Sequence, residues 1–346
     1  MKKIIALVLV IAMMAVLFVA CGGDGAEDAG DGKSFDIIYL TPSTASSFWS
    51  QVEVGILQAK ADLEAELGIT VNYSVVGPAE EQQTEEYITA FENAIAQAPD
   101  AIVTATLAID STVPKAKEAH DAGIVLNFVN CGLGVGDDGA YQEYYNEFYF
   151  CSNDTIGELA GQAFLEAMAK QEMPTDAGTI GINMNVENEA LNHRIQAFRD
   201  YIAANAPGLA MTDTYYNNNV VETSQTNAEN IISSYSDLIG MYSGNNITSD
   251  GVCNAIRAAG LSEKFVAVGV DSDDIEIQAL RDGFLSAIIV QNAFDQGYKC
   301  MENAIRTLVE GKNPESAQQI NCPPVIVTLD NIDSEEIQFM MDPKLK

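Results

Sequence analysis

The apolar residues of this chain fall into two alternating rhythms. A short run from Asp36 to Leu40 reads as a β-strand. After a polar turn from Thr41 to Ser47 the spacing changes, and Phe48, Val52, Ile56, Ala59, Leu63 and Leu67 recur at steps of three and four. That spacing stacks them on one helix face, and Gly68 supplies the stop. The alternation then repeats. Val71 to Val76 is a strand broken by Gly77-Pro78, and a helix carrying Tyr87, Ile88, Phe91 and Ile95 follows. Next come a strand from Ala101 to Thr106, a short helix ending near His120 with Gly123 as its cap, and strands from Ile124 to Val129 and Glu147 to Cys151. The next helix carries Ile156, Leu159, Ala163, Phe164 and Met168, with Asn153 or Asp154 as N-cap.

Pro174 to Gly178 interrupts the pattern, and a second series begins. Its strands are Thr179 to Met184, Met211 to Tyr216, Leu238 to Ser243, Phe265 to Val270 and Phe284 to Val290. Between them lie helices around Leu191 to Ile202, Ala228 to Tyr235, Ser249 to Ala259 and Ile275 to Arg281. A last helix carries Tyr298, Met301, Ile305 and Leu308, and Val325 to Leu329 closes the chain as a strand. Strands alternating with helices of this length imply doubly wound parallel sheets in the α/β class. Two series imply two similar lobes, with a ligand cleft between them. Ligands of open α/β sheets sit outside the carboxyl ends of the strands, so the turn before Phe48 opens the crevice. Trp49, off the apolar stripe and the only Trp, is read as facing a ligand; Phe48 fits both the core and the cleft.

Composition narrows the function. A length of 346 residues with 47% apolar and 19% charged residues allows two sizeable cores. Fifty acidic against 17 basic residues, a formal charge of −33, exclude an electrostatic grip on nucleic acid or on anionic lipid. At the N-terminus, Lys2-Lys3, the apolar run Ile4 to Val19 and Ala20-Cys21-Gly22-Gly23 read as a secretion signal. The run is shorter than the ~20 residues needed to span a bilayer. Leu17-Phe18-Val19-Ala20-Cys21 resembles a bacterial lipobox, which makes Cys21 the lipid attachment site, and the Gly- and Asp-rich stretch to Ser34 a flexible tether. The remaining cysteines, 131, 151, 253, 300 and 322, are odd in number and lack zinc-site spacing; buried free thiols are expected, with a Cys131–Cys151 bridge left open.

Catalytic and cofactor motifs fare poorly. Gly134-Val135-Gly136-Asp137-Asp138-Gly139 fits G-x-G-x-x-G, but no clear helix follows and its two Asp residues repel a pyrophosphate. There is no phosphate loop and no nucleophile elbow, and His120 and His193 lie far apart. Asp271-Ser272-Asp273-Asp274 lacks the Gly of a calcium loop and is read as capping the next helix. What remains is a set of polar residues at strand ends: Ser46, Asn130, Asn192, Asn219, Asn245, Asp271 and Gln291. Amides and carboxylates bond hydroxyls, and aromatic faces cover the C–H side of a sugar ring.

From Phe35 to Asp333 the chain resembles the ribose-binding-protein family, the sugar-binding components of ABC importers with the type I periplasmic binding protein fold. The resemblance is carried by Ser47-Phe48-Trp49, by Ser152-Asn153-Asp154-Thr155-Ile156-Gly157 and by Asn192-His193-Arg194-Ile195-Gln196-Ala197-Phe198. Ser243-Gly244-Asn245-Asn246, Ala267-Val268-Gly269-Val270-Asp271, Gln291 and Val327-Thr328-Leu329-Asp330-Asn331-Ile332 continue it. It implies two Rossmann-like lobes joined by a hinge: residues 35–152 with 292–321, and 153–291 with 322–346, behind a signal peptide at 1–20 and a tether at 21–34. Carried over by position, Phe48 and Trp49 flank a sugar ring, Asn130, Asn245, Asp271 and Gln291 bond its hydroxyls, and Ser46, Asn192 and Asn219 line the pocket. It further implies an ABC permease as partner, a monomer, and no enzyme, metal or cofactor; a sugar sensor signalling to a membrane protein is the alternative. Asn130-Cys131 stands where ribose binders have Asp-Arg, and Asn192 where they have a second Arg, which argues against ribose itself. Arg194 matches a structural arginine. With no Lys or Arg at the matched positions, a neutral sugar or polyol is expected.

Overall fold

The computed structural model describes residues 32–134, 139–186, 189–311 and 318–345. The signal segment, Cys21, the tether through residue 31 and residues 135–138 of the glycine motif lie outside the described residues. The strands are β1 (Ser34–Leu40), β2 (Thr70–Val76), β3 (Ala101–Thr104), β4 (Val125–Val129), β5 (Glu147–Phe150), β6 (Thr179–Met184), β7 (Ala210–Tyr216), β8 (Leu238–Ser243), β9 (Val266–Val270), β10 (Ala287–Val290), β11 (Gln318–Asn321) and β12 (Val325–Val327). The helices are α1 (Ser47–Leu67), α2 (Thr84–Ala96), α3 (Ile109–Asp121), α4 (Asn153–Lys170), α5 (Glu189–Asn205), α6 (Val221–Ser234), α7 (Asn246–Ala259), α8 (Asp274–Arg281), α9 (Ala293–Glu310) and α10 (Glu335–Met341).

Two six-stranded sheets result, ordered β11-β5-β4-β3-β1-β2 and β12-β10-β9-β8-β6-β7. The pairings are parallel except β10–β12, which is antiparallel. Each sheet is covered on both faces, so its inner strands read as continuous apolar runs; β4 and β9 are buried at every residue. The chain passes between sheets after β5, after β10 and after β11.

In α1 the expected stripe is the core face, with Phe48, Val52, Ile56, Ala59 and Leu63 buried and Gly68 closing the helix at φ 64°. Its partner is α9, and the approach is close because of two glycines. A Cβ on Gly55 would stand 2.1 Å from the Phe294 carbonyl oxygen, and one on Gly297 2.1 Å from that of Val52.

Two local expectations are corrected, and one unread strand and one open cysteine pairing are decided by the structure. Ser152, rather than Asn153 or Asp154, caps α4: its Oγ accepts from the Thr155 N–H, while Asn153 turns inward. The closing strand stops at Val327, and α10 follows, capped by Ser334. The strand β11 escaped the apolar pattern because Gln318-Gln319-Ile320-Asn321 is a polar, largely exposed edge strand. No disulfide joins Cys131 and Cys151, and the five described cysteines are thiols as expected, four buried and Cys131 partly so. The acidic run at 271–274 behaves as expected, since Asp273 caps α8 in a capping box with Glu276.

Candidate functional site

The carboxyl ends of the strands converge on a cavity of about 330 Å³ whose wall draws on both sheets. Phe48 and Trp49 enter it from the first turn of α1, Asn130 from the end of β4, Asn245 from the cap of α7, Asp271 from the end of β9 and Gln291 from the end of β10. Backbone conformation aims two of these side chains: Asn130 has φ 64° and Asp271 φ 83°. Asn and Asp enter the left-handed region more readily than other side chains, so the chain can leave each strand sharply there. Asn245 accepts at its Oδ1 from the Thr248 N–H at 3.0 Å, which fixes its side chain as the first turn of α7 forms.

These groups form a continuous relay. Asn130 donates to Gln291 Oε1 at 3.0 Å, Gln291 donates to Asp271 Oδ1 at 2.7 Å, and the Asn246 N–H donates to Asp271 Oδ2 at 3.1 Å. Asn246 in turn donates from its side chain to Ser47 Oγ at 3.1 Å, returning to the first lobe. Phe48 and Trp49 meet edge to face, with ring centroids 5.0 Å apart. Both aromatics are buried and line the cavity, so Phe48 serves core and cleft together.

Ser46, Asn192 and Asn219 do not line the cavity. Ser46 is the N-cap residue of α1, with no capping bond from its own side chain. On α5 it is Leu191 and Arg194, three residues apart and therefore on one face, that reach the cavity; Asn192 is rotated off that face. Asn219 stands one step behind, accepting from Asn245 at 3.0 Å and donating to Glu81 Oε2 at 3.4 Å.

Other wall residues were not anticipated. Glu81, after β2, accepts from Trp49 Nε1 at 2.7 Å. Asn185, after β6, is buried against the cavity with its Oδ1 unpartnered. Arg194, expected as a structural residue and outside the matched positions, also reaches the wall. Its guanidinium is clamped by Asn153 Oδ1, at 3.1 Å from Nε and 2.8 Å from Nη2, and by the Gly244 carbonyl, yet it also lines the cavity. A guanidinium carries five N–H donors, more than these three bonds use.

Burial pushes the Asp271 carboxyl above the usual range, and the nearby Arg194 charge with the Gln291 and Asn246 bonds pulls it back. Glu81 is likewise raised by burial, lowered by its bond from Trp49 and raised again by Asp271. Behind the wall, Asp250, Asp273 and Glu276 form a withdrawn acidic group, all three raised chiefly by loss of solvent. Among the described residues no group of three or more His, Cys, Asp or Glu is placed to hold a metal ion. The wall can thus surround a small polyhydroxylated ring with amides, two carboxylates, one guanidinium and two aromatic faces.

Comparison with known proteins gives this geometry its family. The chain is 25% identical over 301 residues to the D-ribose/D-allose-binding protein of Pseudomonas aeruginosa, covering 84% of this chain and 88% of that one. It is 24% identical over 274 residues to a xylose/arabinose-binding protein of Sulfolobus acidocaldarius, covering 77% of this chain and 64% of the relative. Among solved structures, an ABC transporter solute-binding protein of Agrobacterium vitis with bound D-fucose superposes with a TM-score of 0.77 at 27% identity, covering 88% of this chain and 98% of the other. A carbohydrate-transporter solute-binding protein of Agrobacterium radiobacter in complex with D-arabinose shares the fold, with a TM-score of 0.75 at 23% identity, over 90% and 99% of the two chains. The model of the periplasmic binding protein domain matches residues 37–313, and with two doubly wound lobes around one cleft this chain belongs to the periplasmic binding protein family, in its ribose-binding-like type I form.

Proposed function

We propose that this protein is the extracytoplasmic solute receptor of an ABC importer. It binds a neutral sugar or polyol between its lobes, residues 35–152 with 292–321 and 153–291 with 322–346, and hands it to the permease. The observation that carries this reading is the cavity between the two sheets, where Phe48 and Trp49 stand beside Asn130, Asn245, Asp271 and Gln291. Hydroxyls exchange water for amide and carboxylate partners there, and ring faces gain apolar contact. The sugars bound by the Agrobacterium relatives support the ligand class. Arg194 shares the wall with two carboxylates, Asp271 and Glu81, and its own bonds go to Asn153 and the Gly244 carbonyl, which favours a neutral ligand over an anion. The lipobox at Leu17 to Cys21 supports a lipid anchor at Cys21.

A thermal-shift panel tests the ligand class. Neutral pentoses, hexoses and polyols are expected to raise Tm, and at 100 times Kd the gain is about 2.7 kcal/mol. Sugar phosphates and sugar acids are expected not to. A panel in which only anionic compounds stabilise the protein refutes the reading. Cys21→Ala tests the anchor: the exported variant should leave the membrane fraction with its sugar affinity intact.

A further inference from the structure

The ionisable carboxylates and guanidinium of the cavity wall do not balance. Asp271 and Arg194 stand in the same lobe, where the Arg194 charge lowers the Asp271 carboxyl against the effect of burial. Glu81 stands on the other lobe, after β2, and among the described residues its partners are Trp49 and Asn219, with no cation paired to it. Its oxygens accept only from neutral donors, the Trp49 indole N–H at 2.7 Å and, across the cleft, the Asn219 amide at 3.4 Å. Burial raises its carboxyl, the Trp49 bond lowers it and Asp271 raises it again, with no cation among the causes. Among the described residues Glu81 thus keeps carboxylate lone pairs in the wall that no cation engages, and a ligand can supply the donor.

Resting on the sugar-receptor reading above, we propose that Glu81 is a specificity-determining residue of the cleft, and that it makes a sugar carrying a protonated amine a better ligand than the corresponding neutral sugar. A hydroxyl satisfies Glu81 with one neutral donor. An ammonium offers up to three donors together with the missing charge, and a charge-assisted bond is roughly twice as strong as a neutral one. The rings of Phe48 and Trp49 beside it also favour a cation over their faces. A ligand carboxylate at this place meets Glu81 with like charge and no donor. The chain's overall charge of −33 adds a field of the same sign, drawing cations toward the cleft and repelling anions.

The experiment is calorimetric titration of the whole protein with matched pairs: glucose against glucosamine, galactose against galactosamine, and mannose against mannosamine. The N-acetylated forms serve as controls that keep the nitrogen but lose the charge. At a pH where the amine is protonated, at least one amino sugar should bind about tenfold more tightly than its neutral partner, and its N-acetyl form should lose that advantage. Glu81→Gln, which keeps an acceptor for Trp49 Nε1, should bring the ratio near one, whereas Glu81→Asp, which keeps the charge, should retain part of it. Neutral sugars that bind while every amino sugar binds no better overturn this proposal and leave the sugar receptor standing. A tenfold preference that survives Glu81→Gln assigns the effect to the rings and overturns the role of Glu81. If no sugar of any charge binds, the underlying reading falls first.

Discussion

Asp271→Asn separates ligand recognition from fold at a single atom. The native carboxylate uses Oδ1 for the Gln291 side chain at 2.7 Å and Oδ2 for the Asn246 N–H at 3.1 Å. An ionised carboxyl has about four lone-pair sites, so two remain for ligand hydroxyls. In the Asn variant one oxygen becomes an NH2 group, which faces either the Gln291 amide or the Asn246 N–H, donor against donor. Backbone strain is not introduced, because Asn occupies φ 83° as readily as Asp, whereas Ala does not. The ligand loses an ionised acceptor, worth about 1.5–3 kcal/mol, which corresponds to binding weaker by roughly 10- to 150-fold. Stability should move less, since the lost bond is offset by removal of a charge that burial already disfavours. Calorimetric titration with the most stabilising sugar of the panel measures the first quantity, and thermal melting without ligand the second. In the native protein affinity should fall as pH drops through the raised carboxyl range of Asp271; in the variant this dependence should weaken. Native-like affinity with native-like melting in Asp271→Asn would remove this residue from the ligand site.

Trp49 is the sole Trp and lines the cavity, so a saturating sugar should change its emission; a spectrum unchanged at saturation would contradict its place there. Gly55→Ala should cost about 1–3 kcal/mol or more in urea unfolding, because the added methyl meets the backbone of α9 rather than a yielding side chain; an unchanged midpoint refutes the close approach. The acids Asp250, Asp273 and Glu276 have folded values above their unfolded ones, so their contribution to stability is full below the unfolded range of about 4 and is lost as pH rises through the raised values. Glu276→Gln should therefore flatten the decline of Tm between pH 4 and 8, and an equally steep profile would refute the assignment.

The sequence by itself determined the elements whose cause is local. The stripe Phe48, Val52, Ile56, Ala59 and Leu63 is a period of one helix, and the structure buries those residues together. Gly68 stops that helix in left-handed backbone, and Asp273 with Glu276 caps another, because each device acts within a few residues. Asn130, Asp271 and Gln291 were legible as polar residues where apolar strands end. The tertiary structure alone decided what faces what. The polar strand β11 exists because the edge of β5 offers it unpaired backbone groups, which no periodicity of Gln318 to Asn321 announces. Asn192 and Arg194 sit on one short stretch of α5, and only the rotation of that helix puts Arg194 in the wall and leaves Asn192 off it. Glu81 and Asn219, 138 residues apart, meet only across the cleft. Burial follows a local rhythm of side chains, whereas the charge balance of a cavity depends on loops brought together from two different sheets, and no stretch of sequence contains that sum.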